Sequence, residues 1–128
     1  MATVAGRTDS PGVRWAVWAL CVAAWTLVLL TTKPVHVMRE VLPERASFPV
    51  AKTGHVLAYA FLTALSGWLG VRGGRRWLLL LFLSLHGMAT EFLQTFVPER
   101  TGSWTDVGID HIGIVLGLVL SWKWWRAR

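Results

Sequence analysis

The chain has 128 residues, 54% of them hydrophobic and only 16% charged, with nine Trp and a formal net charge of +6. Soluble domains average about 45–50% apolar and about 25% charged residues, so this composition argues against a soluble domain and for a membrane protein. The basic residues, at a pI near 10.8, flank apolar runs, where they anchor helix ends and meet anionic lipid; nucleic acid is not an expected partner.

Four segments are apolar and long enough to cross a bilayer core of about 30 Å: Trp15–Thr32, His55–Val71, Trp77–Val97 and Val107–Trp125. Short links between them predict an all-α integral membrane protein, an antiparallel four-helix bundle. Trp15, Trp77 and Trp104 near span starts, and Trp68, Trp122, Trp124 and Trp125 near span ends, fit an interfacial aromatic belt. One side carries Arg7, Arg14, Arg72, Arg75, Arg76, Lys123, Arg126 and Arg128; the other carries Lys33, Arg39, Arg45, Lys52 and Arg100. That bias puts both termini in the cytoplasm.

In chain order, residues 1–14 form a polar cytoplasmic tail and 15–128 a single membrane domain. Trp15–Thr32 follows Arg7 and Arg14 as a signal peptide would. It is longer than a usual signal core and no small-x-small cleavage site follows, so it reads as a retained first span. Cys21 inside it has no partner for an internal disulfide and serves as a small apolar side chain. From Lys33 to Gly54, Pro34, Pro43 and Pro49 cut the connection into pieces. Met38, Val41 and Leu42 recur at helical spacing, which fits a short interfacial helix over the bundle mouth or an irregular solvated loop.

The second span opens with Lys52, His55 and Tyr59 on one helix face. Lys52 snorkelling to lipid while His55 and Tyr59 satisfy each other or a backbone carbonyl is the bland account of this face. Ala60, Ala64, Gly67 and Gly70 offer close helix contact. After the basic turn Arg72–Arg76, the third span is polar only in its outer half, where Glu91 and Gln94 share a face with Gly87. Away from water Glu91 favours its neutral form unless Lys52 or Arg100 holds it ionised. His86, deeper and offset, suits a helix-to-helix hydrogen bond. Pro98 stops this helix, and Ser103 or Thr105 can cap the next. Asp106, Asp110, Gly113 and Gly117 then share one stripe.

The patterns Lys52-x-x-His55-x-x-x-Tyr59, Gly87-x-x-x-Glu91-x-x-Gln94, Arg100, and Asp106-x-x-x-Asp110 with Gly113 and Gly117 after it together resemble the VanZ-like membrane proteins. The resemblance covers about 52–122. It departs from the family pattern at Ala51, where Asp is frequent, and at Asp110, where Asn is usual. It implies a multi-pass protein of the bacterial cytoplasmic membrane. The family takes its name from an association with resistance to teicoplanin, a glycopeptide antibiotic. The resemblance supplies a fold and an address more than a reaction.

From the residues, Lys52, His55, Tyr59, Glu91, Gln94, Arg100, Asp106 and Asp110 form the expected ligand-binding set at the extracytoplasmic end, with Gly87, Gly113 and Gly117 as packing positions. The expected partners are membrane lipid and an amphiphile or lipid-linked envelope precursor bound there. A membrane enzyme on a lipid-linked substrate is the second class, with Glu91, His55 and Asp106 as the candidate catalytic groups. No Ser or Cys sits in a nucleophile motif. His55, Glu91 and Asp106 or Asp110 lack a signature metal spacing, so neither metal nor cofactor is assigned. In the third class the same charges only lock the bundle, with Lys52 or Arg100 paired to Glu91 and Asp106.

Overall fold

Prolines and hydroxyls write the helix starts of this chain. The computed structural model describes residues 10–126, so the expected tail and Arg7 and Arg128 from the charge count lie outside the described residues, apart from 10–14. There the tail is already helical: Ser10 Oγ accepts from the Val13 amide at 3.3 Å and Pro11 takes the first turn of α1, Pro11–Leu30. Pro34 likewise sits in the first turn of α2, Lys33–Val41, and Pro43, in extended conformation, precedes α3, Glu44–Trp68. The connection after the first span is therefore helical, not an irregular loop, and the second long helix begins well before His55. Pro49 lies inside α3, where the bond its missing amide would make is the cost of continuing the helix.

Gly70 and Gly73 both take positive φ, 72° and 65°, a backbone that side-chain-bearing residues rarely adopt, and they turn the chain into a short 3-10 turn at Gly73–Arg75. The helix α4, Arg76–Gln94, ends before Pro98, its next turns tightening through Thr95, Phe96 and Val97. Ser103, and not Thr105, caps α5, Trp104–Leu120, its Oγ accepting from the Asp106 amide at 3.2 Å. The expected fourth span is broken at Ser121, after which α6 runs Trp122–Arg126.

Among the described residues there are six α-helices and no strand. Two segments, Pro11–Leu30 and Gly73–Gln94, are long and apolar enough to cross a membrane. Contacts fix the helix directions. Arg14 meets Trp68, Trp18 meets Ser66 and Trp25 meets His55, so α1 and α3 run in opposite senses. Glu91 meets Ser103 and Ser84 meets His111, so α4 and α5 are also opposed.

The most extensive pairing joins α3 and α5, which run parallel. Their approach depends on two glycines. A Cβ at Gly113 would come within 2.6 Å of the Val56 carbonyl oxygen, and one at Gly117 would overlap the Ala60 carbonyl. Gly113-x-x-x-Gly117 thus packs against α3 backbone. Around this seam Val22, Tyr59, Leu62, Leu83 and Ile114 form the apolar core.

Trp125 departs from the belt expectation. It is 1% exposed, packs over Gly67 and stacks on Trp77 with ring centroids 6.0 Å apart. The kink at Ser121 turns it inward, where it closes a second core with Leu69 and Leu79.

Candidate functional site

The start of α3, the end of α4 and the start of α5 meet at one end of the molecule. The loop holding α2 joins them, because Glu99 in the α4–α5 turn pairs with His36 at 2.7 Å and with Arg39 at 3.5 Å. Sequence reading missed this clasp; the signal was the charge of Glu99 in a turn with basic residues one connection away.

Because α3 and α5 run parallel, side chains at matching heights pair directly. Lys52 Nζ bonds Asp106 Oδ1, with the ammonium 5.0 Å from the centre of the Phe48 ring. One turn further in, His55 Nδ1 lies 2.7 Å from Asp110 Oδ1. Glu91 reaches the same ring from α4, its Oε1 3.8 Å from His55 Nδ1, while its Oε2 accepts from the Ser103 amide at 3.2 Å. Gly87 makes room for this: Asp110 Oδ2 is 3.3 Å from where its Cβ would stand. Gly102, not singled out from the sequence, does the same for the Glu91 backbone, because a Cβ there would collide with the Glu91 carbonyl.

Two expectations are corrected here. Neither Lys52 nor Arg100 pairs with Glu91. Lys52 is taken by Asp106, and Arg100 closes the end of α1, donating through Nε to Thr31 O at 3.0 Å and through Nη2 to Val28 O at 2.6 Å. Those carbonyls have no acceptor role left inside their own helix end, so a cation there is favoured. Burial lowers the Arg100 pKa from its ordinary value, with Glu91 opposing the shift.

His55 and Tyr59 also do not satisfy each other. Tyr59 is fully buried and its hydroxyl bonds His86 Nδ1 at 2.9 Å, while His86 Nε2 meets Thr26 Oγ1 at 2.8 Å. His86 therefore ties α1, α3 and α4 together, the helix-to-helix role its depth suggested. Gln94 is likewise inward, donating to Leu29 O at 3.0 Å. Tyr59 and Gln94 thus lie beside the acidic cluster with the Tyr59 hydroxyl and Gln94 Nε2 already engaged in helix contacts.

A cavity of about 280 Å³ opens above Lys52, His55 and Asp106, with Gln94, Glu99, Arg100 and Met38 among its walls. A second recess of about 170 Å³ is lined by Glu91 together with Phe92, Ser103, Trp104 and Val107. The larger cavity is polar and faces charged groups of both signs. The smaller is mostly apolar, and Trp104 beside it is among the most exposed large side chains of the chain. Glu91, 3% exposed, thus borders the apolar recess, while Lys52, His55 and Asp106 border the polar one. His55, Glu91 and Asp110 have donor atoms close enough to share a metal ion.

Comparison with curated proteins and with solved structures returns no match. The VanZ/LLP1 family model, by contrast, matches residues 14–126, nearly the whole chain and all of the helices that build this site. The chain belongs to the VanZ/LLP1 family.

Proposed function

We propose that this chain is a multi-pass protein of the bacterial cytoplasmic membrane, a four-helix bundle with cytoplasmic termini. Its polar end binds or modulates an amphiphilic or lipid-linked component of the cell envelope on the extracytoplasmic side. The carrying observation is that Lys52, His55, Glu91, Asp106 and Asp110, drawn from three helices, converge, with Lys52, His55 and Asp106 lining a cavity of about 280 Å³. Ionisable groups within apolar helices are costly and are retained where they have a task. Lys52 and Arg100 suit a phosphate, Glu91 and Asp106 suit hydroxyls or amines, and the recess beside Trp104 suits a chain. The basic residues gathered at the opposite end support the sidedness. Family membership supports a link to glycopeptide (teicoplanin) resistance.

An enzymatic reading draws on one further observation. A histidine held by a carboxylate at 2.7 Å, with a second carboxylate 3.8 Å away, is a workable acid–base arrangement on a lipid-linked substrate. Its test is conversion of such a substrate by the purified chain, lost in Glu91→Gln.

The binding reading is tested by mass spectrometry of lipid and lipid-linked material carried through purification, together with folded yield and teicoplanin susceptibility. Glu91→Gln, Asp106→Asn and His55→Ala are expected to fold, to lose the bound amphiphile and to change susceptibility. Collapse of folded yield in all three, with no bound amphiphile in the wild-type chain, would leave the cluster as a lock that holds the helices.

A further inference from the structure

The cluster beneath the cavity is short of positive charge. Glu91 and Asp110 are 3% and 0% exposed, yet Glu91 Oε1 and Asp110 Oδ2 have no hydrogen-bond partner. The two nearest cations are spent elsewhere, Lys52 on Asp106 and Arg100 on the end of α1. One proton between His55 and Asp110 satisfies a single carboxylate oxygen and leaves the other two bare. Unsatisfied buried oxygens carry the full cost of desolvation.

We infer that His55 Nδ1, Glu91 Oε1 and an Asp110 carboxylate oxygen form a site for one divalent transition ion, of the zinc or manganese type. All three donor atoms lie within 4.8 Å of one another. A tetrahedral ion with bonds of about 2.0–2.2 Å sets its donors roughly 3.4 Å apart. The His55 distances, 2.7 Å to Asp110 and 3.8 Å to Glu91, bracket that separation, so small side-chain rotations suffice.

An imidazole with two carboxylates favours zinc or manganese over the oxygen-only set that calcium and magnesium prefer. Supporting contacts are in place. Ser103 N holds Glu91 Oε2, the Trp25 ring edge meets His55 at 5.5 Å, and Gly87 brings α4 close enough for Glu91 to reach α5's aspartate. Three protein donors leave a coordination position open, and His55 also lines the cavity, where an anionic headgroup can bind. That last step rests on the binding function proposed above; the ion itself does not.

The test uses the full chain purified in detergent without added lipid, stripped with a chelator and titrated with Zn²⁺ and with Mn²⁺ in separate runs. Bound metal is counted by elemental analysis, and thermal unfolding is followed in parallel. The expected result is one equivalent of ion per chain with a raised Tm. Asp110→Asn and Glu91→Gln keep the side-chain volume and are each expected to weaken binding by about tenfold or more, judged against the 10–100-fold cost of losing even an outer-sphere partner. Both variants are checked for folded yield, and a His36→Ala control is expected to bind as the wild type does. Absence of stoichiometric ion in the folded wild-type chain, or unchanged binding in a folded Glu91→Gln/Asp110→Asn chain, overturns the site. Retained metal with no co-purifying amphiphile would count against the proposed function and leave the metal site standing.

Discussion

At one end of the molecule, cations lie over aromatic rings. Arg14 sits 5.0 Å from the centre of Trp68, Arg76 4.9 Å from Trp77 and Lys123 5.7 Å from Trp124. At the other end, cations and carboxylates neutralise each other, and a residue of negative charge is left over. Of the seven acidic residues, Asp9 is outside the described chain, and Glu40, Glu44, Glu91, Glu99, Asp106 and Asp110 all belong to the second end. The first arrangement is what a helix end needs at a lipid surface: positive charge held by flat rings, each contact worth about 0.5–1 kcal/mol where exposed. The second buries ionisable groups that would be cheaper as leucines if packing were the only requirement. On the proposed function, that difference gives anchoring to one end and ligand chemistry to the other.

The comparison breaks most completely if the seam between α3 and α5 is forced apart. Gly117→Leu puts a side chain where the Ala60 carbonyl stands, and is expected to cost at least about 3 kcal/mol, seen as a collapse of folded yield. Gly108→Leu, on the same helix with open space around it, is expected to fold as the wild type does.

A smaller effect sharpens the contrast at the site. Lys52→Met leaves Asp106, 5% exposed, without its cation. Allowing for the partial exposure of Lys52, a loss of about 2 kcal/mol is expected in thermal or denaturant unfolding. Adding Asp106→Leu should recover most of it; no recovery would mean the pair is not what Lys52 supports. The smallest change is expected at the aromatic end. Lys123→Gln removes an exposed cation from Trp124 and should shift stability by no more than about 0.5 kcal/mol. A cost there equal to that of Lys52→Met would erase the distinction between the two ends.

Much of this division was legible in the sequence, because span-length apolar runs and spaced polar residues are local signals. Lys52, His55, Glu91, Asp106 and Asp110 stand out by spacing, by their common depth and by the family resemblance, and Gly113-x-x-x-Gly117 is a close-packing motif at the seam. The pairings were legible only in part: Lys52 with Asp106 is one that the locking account contains, but the partner of Glu91 is not. Glu91 was expected beside Lys52 or Arg100, since opposite charges at one depth attract. Which partner wins depends on α3 and α5 running parallel at matching height, and on the end of α1 offering bare carbonyls to Arg100. Neither fact lies in any one segment.

The proline-rich connection left a short helix and an irregular loop both open for a related reason, and the helix is what forms. Pro34 and Pro43 break helices in mid-run but start them at the first turn or just before it. Trp125 fits an interfacial belt by composition, and only the kink at Ser121 turns it into the core.

The most direct test of the central claim is sidedness, read at both ends in one membrane preparation. In a Cys21→Ser background, Thr101→Cys marks the polar end and Gly74→Cys the basic turn, both at exposed positions. In sealed right-side-out vesicles a membrane-impermeant maleimide is expected to label Thr101→Cys at once and Gly74→Cys only after permeabilisation. Labelling of Gly74→Cys from outside with Thr101→Cys protected, or equal labelling of both in sealed vesicles, would contradict the account.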